Sequence, residues 1–96
     1  YSIKLIPEFS AWLSGLSDSM THRRLARRLE KAQAGNLDDV KPVGESVFEM
    51  REHSAGLAQY YVQRGAALIV MLGGGDKSTQ ATDIAKAITL AATVED

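Results

Sequence analysis

The spacing of apolar residues changes several times along this chain, and each change marks a new element. Residues 1–6, YSIKLI, alternate and are rich in β-formers, which predicts a short first strand. Pro7 suits the first turn of a helix, and Phe9, Trp12, Leu13 and Leu16 recur at helical spacing, so a first helix is expected over 7–16. Gly15 and the SDS at 17–19 break that pattern and supply an N-cap for a second helix over 20–34, with Leu25, Leu29 and Ala32 on its buried face. Gly35-Asn36 is its C-terminal stop.

Beyond the helices the period shortens. NLDDVKPVGES (36–46) reads as a loop with a brief extended piece. VFEMREH (47–53) alternates, with Phe48 and Met50 on one side and Glu49, Arg51 and His53 on the other. SAG turns the chain, LAQYYVQ (57–63) returns it, and RG turns it again. In the returning strand Tyr61 falls on the core side with Leu57, and Tyr60 on the outer face with Ala58. AALIVML (66–72) is a near-continuous apolar run, the pattern of a central strand covered on both faces. Ala81, Ile84, Ile88 and Ala91 mark a C-terminal helix. The order β-α-α-β-β-β-α predicts one α+β domain over 1–96, a small, mostly antiparallel sheet with two N-terminal helices and a C-terminal helix.

Composition removes possibilities more than it adds them. The apolar share of 45% and charged share of 24% are those of an ordinary globular protein. With no cysteine, disulfides and thiolate metal sites are excluded. The longest apolar run, 66–72, is too short to span a bilayer, and Lys4, Pro7 and Glu8 interrupt any signal-like segment. A cytoplasmic protein that meets no membrane is expected. His22, read as structural, and His53 are too far apart to make a metal case, so neither metal nor cofactor is expected.

The net charge of −1 gives no global pull toward nucleic acid, but its distribution is uneven. At about 100° per residue, Arg24, Arg27, Arg28 and Lys31 form one stripe beside the apolar face of the second helix. A solvated face is the plain reading. Four like charges with only Glu30 among them repel, which favours a surface for phosphates or for an acidic partner.

GGGDKSTQATDIAKA (73–87) looks at first like a phosphate-cradling loop. A P-loop needs a glycine just before its lysine, and here Asp76 stands there; Met71 occupies the place of the first glycine. That reading fails. Lys77 instead stands between a buried strand and a helix start, where backbone N–H groups favour an anion.

Three stretches, FSAWLSGL, ARRLEKAQAGNLDDVKPVGESVFEMREH and YYVQRGAALIVMLGGGDKSTQATDIAKA, resemble the RelE/HigB-type toxins of bacterial toxin–antitoxin modules. They are most similar to the phage-associated "addiction module killer protein" subgroup, and the likeness covers nearly the whole chain. It implies a RelE-like fold and a metal-independent ribonuclease that cuts messenger RNA in the ribosomal A site until a cognate antitoxin, a small helix-turn-helix protein, silences it. A second branch of that fold, the ParE-type toxins, inhibits DNA gyrase and cuts nothing, so the fold alone leaves the chemistry open.

The resemblance also implies site residues. Lys77 matches the lysine of GGDKS and is expected on a phosphate. Arg51 and His53, about 7 Å apart along one strand face, match the family's LRIH-like stretch. The arginine would fork onto phosphate and the imidazole would act as acid or base. From their own positions and charge, Tyr60 is expected to stack on a base, Gln80 to add a hydrogen bond to RNA, and the stripe of Arg24, Arg27, Arg28 and Lys31 to contact RNA or the antitoxin. One position departs. Where the family reads GYRVYF, this chain reads GLAQYY, so Ala58 replaces the arginine expected to stabilise the cleaved phosphate. The alanine fits a naturally attenuated toxin or, the favoured reading, a change that lets a poisonous protein be produced, since one substitution restores the pattern. Loss of such a contact costs about 100- to 1,000-fold in rate.

Overall fold

The computed structural model of the chain describes residues 1–37, 39–52 and 56–94. Its helices begin and end where local chemistry dictates. Helix α1 (Pro7–Ser14) opens on a proline whose missing N–H is not needed in a first turn. It closes at Gly15, whose N–H reaches the Ala11 carbonyl at 3.0 Å, two residues short of its expected end. Helix α2 (Ser19–Gln33) is capped by Asp18, which accepts from the Thr21 hydroxyl at 2.7 Å and the Met20 N–H at 3.1 Å. Those two bonds hold its carboxyl below the usual carboxylate value. At the other end Gly35 takes φ +98°, and the N–H groups of Gly35 and Asn36 return to the carbonyls of Ala32 and Lys31. This is the left-handed closure that glycine makes cheap.

Among the described residues, five strands form one sheet: β1 (Ser2–Leu5), β2 (Val40–Gly44), β3 (Val47–Glu52), β4 (Leu57–Arg64) and β5 (Leu68–Asp76). Their order is β1-β5-β4-β3-β2, with β1 parallel to β5 and every other pair antiparallel. The extended piece in the expected loop is therefore a full edge strand, β2, where Pro42 is tolerated because one side of the strand needs no ladder donor. Its hairpin to β3 turns on Glu45 and Ser46, at φ +50° and +65°. Two-residue turns of this hand usually carry Asn-Gly or Asp-Gly, so the sequence hid the turn.

Strand β5 runs on through Asp76 instead of ending at residue 72. The glycines at 73, 74 and 75 lie opposite Tyr60, Gln59 and Ala58 in regular pairing and form no loop. Their bareness has a packing cause. A Cβ on Gly74 would strike the Trp12 indole, and one on Gly75 the Asp83 carboxylate. The strand is thinned on one face for α1 and on the other for helix α3 (Gln80–Ala91), which follows a single 3₁₀ turn, Lys77–Thr79.

Helices cover both faces of the sheet. Ala87 and Ala91 of α3 pack on Val47, Tyr60, Val62, Val70 and Leu72, while Phe9 of α1 and Ala32 of α2 pack with Met50, Tyr61, Ile69 and Met71 on the opposite side. This arrangement corrects two expectations. Tyr60 shares a face with Ala58, but α3 lies over that face, so the ring is 1% exposed and has no surface on which a base could stack. Glu49, expected on a polar outer face, is also 1% exposed. No helix is long and apolar enough to cross a membrane, among the described residues.

Candidate functional site

At the end of the sheet where α3 begins, β2, β3, β4 and β5 enclose a cleft of about 170 Å³. Register explains what meets there. Arg51 of β3 lies directly across from Ala58 of β4, and Ala58 across from Gly75 of β5. Lys77 follows at the end of β5, and Gln80 opens α3. Arg51, Ala58, Lys77 and Gln80 therefore line one cleft although they come from four separate segments. His53 lies outside the described residues.

Two lining residues were missed by sequence reasoning. Lys41 reaches the cleft only because β2 pairs with β3, where Lys41 is opposite Glu49. Glu49 forms part of the wall, and its Oε2 accepts from Gln80 Nε2 at 2.8 Å. Alternation with Arg51 was the available signal, since both face the α3 side. Arg51 in turn sits 3.3 Å from Asp39 Oδ1 through Nη2 and 3.5 Å from Glu49 Oε1 through Nε.

Tyr60 of β4 pairs across from Glu49 and lies outside the cleft lining. Burial, with the charges of Glu49 and Asp83, pushes the Tyr60 phenol up to about 12, and its hydroxyl has no hydrogen-bond partner among the described residues. Lys77 is exposed at the rim. The expectation of free helix-start donors beside it needs correction: Asp76 itself caps the turn, taking the Ser78 hydroxyl at 2.6 Å and the Ser78 N–H at 2.9 Å. Both bonds hold the Asp76 carboxyl below its usual value. Anion binding near Lys77 must then draw on side-chain cations: Lys41, Arg51 and Lys77 supply three donors of positive charge around one small cleft.

The basic stripe on α2 is narrower than expected. Arg28 is only 7% exposed, because it lies three residues after buried Leu25 and four before buried Ala32, on the inward face. Its positive charge is felt by the buried phenol of Tyr61. Arg24, Arg27 and Lys31 remain exposed, with Arg23 beside them. Arg24, Arg27, Arg28, Lys31 and Glu52 line a shallow groove on the α2 side of the sheet, the face opposite to Arg51.

Comparison with known proteins gives a relative and a fold. No protein-family model matches the chain. A Haemophilus influenzae protein described as uncharacterized is 37% identical over 90 residues, covering 93% of this chain and 91% of the relative. A chain of the intact E. coli RelBE toxin–antitoxin complex superposes with a TM-score of 0.65 at 15% identity, over 79% of this chain and 95% of that one. An arginine-to-alanine mutant of E. coli toxin RelE in the free state gives 0.71 at 13% identity, over 93% and 94%. At such identities the likeness is one of fold: this is the RelE-type α+β architecture.

Proposed function

This chain belongs to one family with the Haemophilus influenzae protein and carries the RelE-type fold, and from that premise we propose that it is the toxin of a toxin–antitoxin module. Its action is cleavage of messenger RNA on cytoplasmic ribosomes without a metal or other cofactor, weakened in this form by Ala58. The observation that carries the proposal is convergence: Arg51, Ala58, Lys77 and Gln80 line a single cleft with Lys41.

The chemistry follows from that set. When a ribose 2′-hydroxyl attacks the neighbouring phosphate, negative charge accumulates on the phosphoryl oxygens and then on the leaving 5′-oxygen. Arg51 and Lys77, which line the cleft, would meet the first of these, and Gln80 would hydrogen-bond the bound strand. His53 is proposed as acid or base. An arginine at position 58 would stand between Arg51 and Gly75, with the Glu49 carboxylate on the same face to balance its charge. Alanine leaves that contact unmade. Arg24, Arg27 and Lys31 offer RNA a second positive surface, and the antitoxin is proposed to cover this stripe, the rim around Lys77, or both.

The test is restoration. Ala58→Arg, expressed from a tightly controlled promoter, should arrest growth with protein synthesis stopping before DNA synthesis, while the Ala58 form is nearly harmless. A folded Ala58→Arg protein that leaves growth unchanged would defeat the proposal. DNA synthesis failing first would favour a gyrase-directed toxin of the ParE type.

A further inference from the structure

Arg51 already touches two acids, and the way it does so is informative. Its Nη2 faces Asp39 Oδ1 at 3.3 Å, and its Nε faces Glu49 Oε1 at 3.5 Å, an ion-pair contact rather than a hydrogen bond. The Nε atom is buried, and Glu49 is 1% exposed. A guanidinium is a rigid plane with two usable forks, one made by Nε with Nη2 and one by Nη1 with Nη2. Here the first fork is turned into the protein against carboxylates.

Asp39 holds Arg51 at a second point. The Arg51 backbone N–H donates to the Asp39 carbonyl at 3.2 Å. Asp39 has φ +54°, a left-handed conformation that aspartate tolerates better than most residues. That bend lets one residue present both its carbonyl and its carboxylate to Arg51.

We propose that Asp39 and Glu49 are positioning residues: by occupying one fork of Arg51 they aim the other, Nη1 with Nη2, at a phosphate in the cleft. The proposal rests on reading the cleft as a phosphodiester site. It assigns a task to Asp39, the second aspartate of GNLDDVKPVGES, which that reading leaves without one. An acid that merely competed with the phosphate would behave oppositely, because its removal would free the arginine and tighten binding.

The probe is a 2′-O-methylated RNA trinucleotide, which cannot be cleaved, titrated into the full chain and followed by nuclear magnetic resonance. Asp39→Ala should weaken binding about 10-fold, and Asp39→Asn, which keeps an acceptor oxygen and tolerates the left-handed backbone, should restore most of it. In an Arg51→Ala background Asp39→Ala should change nothing further, whereas Lys77→Ala should add its own loss. Glu49→Ala should repeat the Asp39→Ala pattern and Glu49→Gln, which keeps an acceptor oxygen, the Asp39→Asn one, and thermal melting checks that each variant is folded. Tighter binding by Asp39→Ala, or an undiminished loss without Arg51, overturns the proposal. Binding that depends on Arg51 and Lys77 but ignores Asp39 overturns it while sparing the phosphate reading. If the unaltered chain does not bind the trinucleotide, both fall.

Discussion

Gln59 is fully buried, and neither atom of its amide has a hydrogen-bond partner among the described residues. Its cross-strand neighbours are Met50 and Gly74, and Trp12 lies against Gly74, so the amide is enclosed on the α1 side of the sheet by apolar groups. Gln59→Met keeps the length and unbranched shape of the side chain while removing both orphaned polar atoms. An unsatisfied buried amide costs about 1–3 kcal/mol, from which an imperfect fit of the thioether subtracts up to about 1 kcal/mol. The net gain centres on about 1–2 kcal/mol, which corresponds to a rise in Tm of about 4–16 °C in a domain of this size. Urea unfolding followed by Trp12 fluorescence, alongside calorimetry, measures both the gain and the slope m. The midpoint should rise with m unchanged. A midpoint that stays or falls at constant m would refute the reasoning, because the amide would then have to be satisfied in solution.

Three further outcomes follow from the same packing. Gly75→Ala would drive its Cβ into the Asp83 carboxylate, which is pinned by the Thr79 hydroxyl at 2.6 Å; a stability loss of about 1–3 kcal/mol is expected by thermal melting. The Tyr60 phenol ionises near 10.0 when unfolded and near 12 when folded, so its contribution is fully present below pH 10 and is lost as pH rises through 12. Tyr60→Phe should flatten that part of a Tm-against-pH profile, with Tyr61, also pushed up by burial, retaining a share of the alkaline loss. Lys77→Ala, placed in the Ala58→Arg form, should lower RNA cleavage about 100-fold while leaving stability within about 0.5 kcal/mol, since the side chain is exposed.

The helices were legible because their punctuation is local: Pro7, Asp18 and Gly35 do in the structure what such residues do in isolation. Strand β2 was half legible, because Glu45 and Ser46 adopt a left-handed pair of conformations that their identities do not announce. Tyr60 and Glu49 were misplaced for one reason. Alternation says which residues share a face, but whether that face is wet depends on where a distant helix lands, and α3 lands on it. The same limit applies to the cleft. Arg51, Ala58, Lys77 and Gln80 could be named from motifs, yet their meeting depends on strand register. Lys41 and Asp39 could not be named, because their approach to Arg51 requires an edge pairing that the Pro- and Gly-bearing segment disguises.

If the cleft acts as proposed, it cuts messenger RNA once an arginine stands at position 58. A purified translation system containing the Ala58→Arg protein and a defined message, with RNA 5′ ends mapped by primer extension, tests it directly. New ends should appear within codons held on translating ribosomes, vanish when ribosomes are omitted, and fade sharply when Lys77→Ala is added. An intact message from a folded Ala58→Arg protein, above all one that blocks gyrase supercoiling in a parallel reaction, would contradict the account.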